Sequence, residues 1–444
     1  MNNGILHTAN HVEWLRGTAS YIHSHRSGTF VVSFGGETLS EGLLPHLVQD
    51  LSVLHSLGIR LVLVHGARPQ IESRLRERHL ESVYHQGLRV TDEAAMQCVR
   101  EAASSVRLEI EALLSMGIAH SPMAGAHIRV CSGNFVTARP IGVRNGVDFG
   151  HTGEVRKIDH QAIRQILDAG SVALLSPLGY APTGDVFNLS AEKVATAAAI
   201  SLGADKLLLI DQSCRNRDGE VIPHMTVDEC LQHLAHSSAF ASGDAFDAES
   251  LHLQAAVTAC NAGIPRTHLL DHHTDGSLLL ELFTREGSGT LVSATPFETL
   301  RPATCDDIGG ILDLARPLEK QGVLVGRSRE RLEMEIGDYL VIERDGRIIG
   351  CAALHHYPEG SGEVASMVLH PDYRSGGRGS RLLTAIENQA RQAYMPEIYV
   401  LTTHTEQWFQ ERGYESISPE ALPPTRRQRY NPARNSRVLR KRLD

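Results

Sequence analysis

Short β-rich apolar segments alternate with helix-patterned stretches through the first two thirds of this chain, and that rhythm most narrows what it can fold into. Phe30 to Ser33, Leu61 to Val64, Val172 to Leu175, Leu207 to Ile210 and His268 to Leu270 read as strands. Leu43 to Leu57, Thr91 to Met116 and the Ala-rich Glu192 to Leu202 read as helices. Strands alternating with helices predict an α/β layer structure around a mainly parallel sheet. After Phe283 the rhythm breaks in Thr284 to Thr290, which carries Gly287 and Gly289, and Pro296 follows. Beyond that point Tyr339 to Glu343 and Ile348 to Leu354 flank Asp345-Gly346, a strong hairpin signal. Val364 to Leu369, a glycine-rich loop, the amphipathic stretch Leu382 to Ala393 and the strand-like Ile398 to Thr402 come next. The 444 residues therefore divide near 297 into a first domain, 1–297, and a second, 298–444, of different style.

Charge divides in the same place. The formal net charge of -9 belongs to residues 1–297, with 22 Lys and Arg against 31 Asp and Glu; residues 298–444 hold 21 of each. That second balance is uneven, because the segment from Arg426 onward is a basic tail. A nucleic-acid partner is not expected, since the rest of the chain is acidic and no recognised binding motif occurs. No apolar run approaches the roughly 20 residues of a membrane-spanning helix, and the N-terminus lacks a secretory layout. The seven cysteines follow no C-x-x-C spacing, so no disulfide framework is expected and the expected location is the cytoplasm. His272-His273 and His355-His356 are adjacent pairs rather than the i, i+4 spacing of a helical metal site. No catalytic metal is expected.

Chemistry enters with Arg374-Ser375-Gly376-Gly377-Arg378-Gly379, placed between a strand and a helix. Glycines let backbone N–H groups approach phosphate oxygens at a helix start. Following Val364 to Pro371, this R-x-x-G-x-G run resembles the acetyl-CoA pyrophosphate loop of the GNAT N-acetyltransferases, and Trp408-Phe409-Gln410-Glu411-Arg412-Gly413-Tyr414 resembles a later element of that family. The resemblance assigns cofactor contacts to Met367, Val368, Arg374, Gly376, Gly377, Arg378 and Gly379. An ammonium substrate must lose a proton before it attacks a thioester, and Glu363, at the start of the strand, is the candidate base. Thr402 is the candidate acid toward the leaving thiolate, with Tyr399 and Tyr414 as competitors.

Over nearly its whole length the chain resembles the bacterial-type N-acetylglutamate synthases, through Leu63 to Gln70, Leu324 to Glu335 and Arg434 to Leu439. That implies an amino-acid-kinase-like αβα sandwich followed by a GNAT α+β domain with a mixed sheet. It also implies an acyltransferase that moves acetyl from acetyl-CoA, as cosubstrate rather than bound cofactor, to the α-amine of L-glutamate at the start of arginine biosynthesis. Guanidinium groups match glutamate's carboxylates; Arg327 and Arg434 are the candidates, with Arg329 in reserve, and part of the basic tail should fold back over the site.

The first domain resembles N-acetylglutamate kinase with its phosphate machinery altered. Ser33-Phe34-Gly35-Gly36 stands for K-x-G-G, His65-Gly66-Ala67-Arg68 for H-G-G-G, and Glu192 stands at the organising aspartate. Phosphoryl transfer depends on positioning and charge neutralisation, so its loss is expected. Glu281 to Thr284 with Gly287 to Thr290, and a helix over about 9–27, resemble the arginine-sensitive kinases. The resemblance implies L-arginine as effector, near Tyr21, Glu281, Gly287 and Gly289, with Trp14 and Ile22 as apolar contacts. It also implies a homo-oligomer, in those kinases a hexamer interlaced through the N-terminal helix. Two other readings stay open, a bifunctional synthase and kinase, and a non-enzymatic arginine sensor.

Overall fold

The structure is a computed structural model describing residues 2–85, 87–116, 127–216, 218–236, 248–284, 286–296, 298–344, 346–374 and 377–443, with side chains from residue 14 onward. The chain forms two compact units, Met1–Pro296 and Phe297–Asp444.

In the first unit eight strands make one sheet: Thr29–Phe34 (β1), Arg60–His65 (β2), Val130–Ser132 (β3), Val172–Leu175 (β4), Lys206–Asp211 (β5), His224–Thr226 (β6), Thr267–Asp271 (β7) and Thr290–Ser293 (β8). Their order is β6-β8-β7-β5-β1-β2-β4-β3, parallel except where β7 meets β8. Both faces are covered, which explains the unbroken apolar reading of the central strands. On one face Val31, Val62, Ala173, Leu207 and Leu209 share a core with Ala195, Ala198 and Ala199. On the other, Phe30, Val32, Leu61, Leu63 and Leu208 pack with Leu47, Leu51 and Val99. The alternation within β1 and β2 is the period of two that a pleated strand imposes.

The helices α1 (Asn2–His25), α2 (Leu44–Ser56), α3 (Arg68–Glu77), α4 (Glu93–Met116), α5 (Ala191–Leu202), α6 (Val227–His236), α7 (Ala248–Asn261) and α8 (Ser277–Phe283) cover this unit. The Ala-rich α5 begins where the Ser190 hydroxyl accepts from Lys193 N–H and ends at left-handed Gly203. The N-terminal helix begins earlier than the expected 9 and ends at His25 rather than near 27. Residue Ser27 turns through a left-handed conformation, and the chain enters β1 two residues later. A smaller four-stranded sheet, Val136–Pro140, Gly153–Ile158, Leu178–Tyr180 and Val186–Asn188, completes the unit.

The second unit has one mixed sheet of Glu298–Pro302 (β9), Tyr339–Arg344 (β10), Arg347–His356 (β11), Gly362–Leu369 (β12), Glu397–Thr402 (β13), Glu415–Ile417 (β14) and Arg437–Arg442 (β15). Their order is β9-β10-β11-β12-β13-β15-β14. Helix α9 (Ile308–Lys320) packs on the face of Tyr339, Val341, Cys351 and Val368. Helix α10 (Arg378–Gln392) packs on the face of Ile342, Leu354, Val364 and Ile398 through Leu382, Leu383 and Ile386. The basic tail is thus not a frayed end: Val438 and Leu439 are buried, and β15 pairs with β13 along its whole length. All seven cysteines are free thiols. No helix among the described residues is long and apolar enough to cross a membrane.

Candidate active site and candidate effector site

Strand β12 carries the chemistry of the second unit. It pairs with β13 in parallel only from Gly362↔Ile398 to Val364↔Val400. Past that point the edge toward β13 carries no ladder, because the pairing with β11 shifts register between Cys351 and Ala353 and Ser366 turns through φ 48°. A shifted register next to a positive φ bends a strand and re-aims its N–H groups. Met367 lies in this separated stretch, where its backbone N–H can face a ligand. The Val368 side chain is buried in the α9 face and pairs with Cys351, so only its backbone is available to a ligand.

Glu363 stands at the paired end of the strand and is buried, its residue only 8% exposed. Its carboxylate accepts from the Tyr357 hydroxyl, from Arg426 Nε at 2.5 Å and from Arg426 Nη2 at 3.4 Å. Burial, with the neighbouring Glu363 charge, pushes the Tyr357 phenol far above its ordinary range, so it remains a donor. A guanidinium and a phenol thus satisfy the oxygens of this buried carboxyl group. Arg426 was not among the sequence candidates. Eight Arg or Lys residues crowd the tail, and nothing in their spacing tells which one returns to the base.

At the other end of β12, Arg374 is exposed, Gly376 lies outside the described residues, and Gly377 is left-handed at φ 70° just before α10. A methyl group at Gly379 would lie 3.1 Å from the Trp408 ring, so any larger residue would push that ring away. The loop glycine and the tryptophan of the later motif therefore fit each other. Arg378 pairs through Nε with Glu298 at 2.7 Å, so a phosphate would share it with a carboxylate.

Thr402, half-buried at the end of β13, accepts from Thr405 N–H at 3.1 Å and lies 2.8 Å from the Thr405 hydroxyl. Its two competitors are committed. The Tyr399 phenol donates to Glu397 at 2.5 Å and burial pushes it up to about 12. The Tyr414 phenol is buried against Glu387, and burial raises it further.

The two arginine candidates bracket one loop. Arg327 donates to Glu335 and, at 2.9 Å, to His355 Nε2, while Arg434 reaches the Gly322 and Val323 carbonyls at 3.1 and 2.9 Å. Arg329 pairs on the surface with Glu333. The tail is therefore tied to the loop before Arg327 by Arg434 and to Glu363 by Arg426.

In the first unit a polar line runs through the core. Lys206 Nζ lies 3.5 Å from His268 Nε2, His268 Nδ1 lies 2.6 Å from Glu281 Oε1, and Glu281 Oε2 accepts from Ser288 and Gly289 N–H at 2.7 and 2.9 Å. Burial and the nearby Lys206 charge lower His268, so a neutral ring accepts from the lysine and donates to the glutamate. Burial alone would raise the Glu281 carboxyl, but the His268 and backbone donors win and hold it at about 2. Glu281 is thus buried and already organises the Gly287–Gly289 turn. Gly287 is left-handed at φ 71°, and a methyl there would meet Glu281 Oε2 at 2.6 Å.

Helix α1 docks beside this turn. Burial holds the His25 imidazole neutral, down to about 4, and its Nε2 lies 2.9 Å from the Leu282 carbonyl, as a donor. Tyr21 and Ile22 pack against the core, whereas Trp14 is 58% exposed.

The second unit thus has the fold of an acetyltransferase: the GNAT acetyltransferase domain profile matches residues 335–416, and the amino acid kinase family profile matches residues 28–271. Whole-chain relatives sharpen this. The amino-acid acetyltransferase of Pseudomonas putida is 50% identical over 98% of this chain and 99% of its own length. That of Azotobacter vinelandii is 51% identical over the same shares. The chain belongs to the amino-acid acetyltransferase family. Among solved structures, N-acetylglutamate synthase from Neisseria gonorrhoeae complexed with coenzyme A and L-arginine is 37% identical, with a TM-score of 0.82 over 97% of this chain and 99% of that one. The same enzyme complexed with coenzyme A and N-acetyl-glutamate is 38% identical, with a TM-score of 0.62.

Proposed function

We propose that this protein is an N-acetylglutamate synthase, an acyltransferase that takes acetyl from acetyl-CoA to the α-amine of L-glutamate, at the start of arginine biosynthesis in the cytoplasm. The observation that carries it is Glu363, buried and paired with Arg426 at the head of a strand whose other end opens beside a glycine loop and a helix start. Glu363 takes a proton from the substrate ammonium, directly or through a water. The freed amine attacks the thioester carbonyl, and the oxyanion that forms is met by backbone N–H at Met367. As the C–S bond breaks, the electron pair leaves on sulfur. A thiolate is a weak base, so a proton from Thr402 or solvent completes CoA. The backbone at Val368 and the segment Arg374, Gly376, Gly377, Arg378 and Gly379 hold the cofactor's phosphates. Arg327, Arg434 and Arg426 make the glutamate pocket cationic.

The first unit is read as regulatory. Arginine binds beside the Lys206–His268–Glu281 line, against the turn of Gly287 and Gly289 and under Tyr21 of α1, with Glu281 acting chiefly by fixing that turn. Copies of the chain assemble through α1 into a homo-oligomer, a hexamer by analogy with the related kinases; the exposed Trp14 and Leu15 suit that role. One experiment tests the whole reading: CoA thiol release from acetyl-CoA and glutamate, with and without millimolar arginine, alongside an assay of ATP-dependent phosphorylation of N-acetylglutamate. Thiol release sensitive to arginine, with no phosphorylation, is expected. No glutamate-dependent thiol release would overturn the synthase reading, and equal rates with and without arginine would overturn the effector site.

A further inference from the structure

The adjacent His272 and His273, which match no helical metal motif, acquire a partner in the fold. They follow β7 directly, and both rings present Nε2 to a single carboxylate oxygen of Glu41, at 3.3 and 3.2 Å. Each ring's other nitrogen is already engaged. His272 Nδ1 lies 2.5 Å from the Asp211 backbone carbonyl, which can only accept, so that nitrogen carries a proton. His273 Nδ1 lies 3.3 Å from Asp271 Oδ1, an acceptor as well when ionised. With neutral rings, both Nε2 atoms lie against one carboxylate oxygen, so three electron-rich atoms converge. Either protons or a cation must fill that point.

The spacing favours a cation. Bonds of about 2.0–2.1 Å from zinc to nitrogen or oxygen in a tetrahedral shell place neighbouring ligand atoms about 3.3 Å apart, close to the 3.3 and 3.2 Å from each Nε2 to the Glu41 oxygen. Histidines whose far nitrogen donates to a carbonyl or carboxylate are the usual arrangement around such ions, since the outer partner fixes tautomer and ring orientation. We propose that Glu41, His272 and His273 bind one divalent transition-metal ion of the zinc class, outside the catalytic unit, pinning the segment after Ser40 to the end of β7. The His272 side chain is only 4% exposed, whereas Glu41 and His273 are 44% and 63% exposed, so the ion keeps a solvent-facing fourth position.

A second cluster, Cys214, His233 and Glu249, lies equally close together. It is satisfied without a metal, because the Cys214 thiol donates to Glu249 at 3.0 Å and burial holds that thiol strongly protonated. It supplies the control. Full-length protein carrying no polyhistidine tag is titrated calorimetrically with zinc, and with cobalt while visible absorption is recorded. One saturable site per chain is expected, with a tetrahedral or five-coordinate cobalt spectrum. Affinity should fall at least about tenfold in Glu41→Gln and in His273→Ala, both solvent-facing changes that leave the core intact, and stay unchanged in His233→Ala. Absence of saturable binding, binding that survives both substitutions, or binding lost with His233 would each overturn the proposal.

Discussion

Each unit holds a glycine turn beside a parallel strand, and the two have gone opposite ways. In the second unit left-handed Gly377 opens a fifteen-residue helix, and Gly379 leaves room for the Trp408 ring. In the first unit the corresponding glycines, Gly35, Gly36 and Gly66, line a cleft whose walls have changed. Gln70 Nε2 donates to the Gly36 carbonyl at 2.7 Å, Ala67 is buried, and the Arg68 guanidinium lies 6.0 Å from the Tyr84 ring and is desolvated. Ser33 replaces the cation that a phosphoryl donor would meet. A phosphate site needs open N–H groups and a positive charge together. The second unit presents a left-handed glycine and arginines before its helix, whereas the first presents a serine, an alanine and a partly desolvated arginine beside a buried polar line.

Substitutions in one unit should therefore leave the other's property standing. The largest effect is expected for Glu363→Gln, which removes the base without changing shape: glutamate-dependent thiol release should fall about 10²–10⁴-fold, while arginine binding measured by calorimetry stays intact. Full turnover in this variant at neutral pH would refute the assignment. Next is Arg426→Ala, which leaves Glu363 buried without its cation. Breaking such a pair costs about 3 kcal/mol, so lower thermal stability of the transferase unit should accompany a drop of about tenfold or more in kcat/KM, and Arg426→Lys should recover only part because a lysine cannot grip both carboxylate oxygens.

A third test lies in the first unit. Glu281→Gln should weaken arginine's effect about tenfold with little change in basal turnover, and hydrogen exchange at Ser288 and Gly289 should speed up as their acceptor weakens. Because the Glu281 carboxyl is held down at about 2, its contribution is fully present above the ordinary carboxylate range and is lost only as pH falls through about 2. Wild-type exchange protection at those two amides should therefore persist at pH 4. If Glu281 stays ionised through that range, loss of protection already at pH 4 would contradict the buried hydrogen-bonded geometry.

The smallest effect concerns stability alone. Burial, with Asp275 nearby, raises the Asp50 carboxyl to about 7, so the fold opposes its ionisation. That penalty grows as pH rises past the ordinary value and is complete above 7. Asp50→Asn should leave stability unchanged at pH 4 and raise it by about 1 kcal/mol at pH 8, read from denaturant unfolding at the two pH values. Equal effects at both would point to packing rather than charge.

Much of the layout was legible because it depends on local pattern. The central strands of the first unit are apolar on both faces, so runs such as Leu61 to Val64 announce a covered parallel sheet. Asp-Gly between β-rich runs marks the β10–β11 hairpin, and R-x-x-G-x-G marks the loop before α10. Arg426 was missed, and the N-terminal helix was begun too late, for different reasons. A helix end is a weak local signal. The Arg426 contact instead depends on a return of the chain across 63 residues. Glu281 is marked by its motif, but its burial and its backbone donors arise only when β7 and the turn at Gly287 come together.

By itself the sequence determined the two fold styles, the intact glycine loop of one unit and the altered phosphate residues of the other, since each is written in neighbouring residues. Tertiary structure alone decided which charges meet. Electrostatic pairing depends on distance and burial, and neither is encoded by spacing along the chain. Arg426 therefore finds Glu363, Glu281 turns inward to a pair of backbone amides, and Glu41 closes on two histidines some 230 residues away.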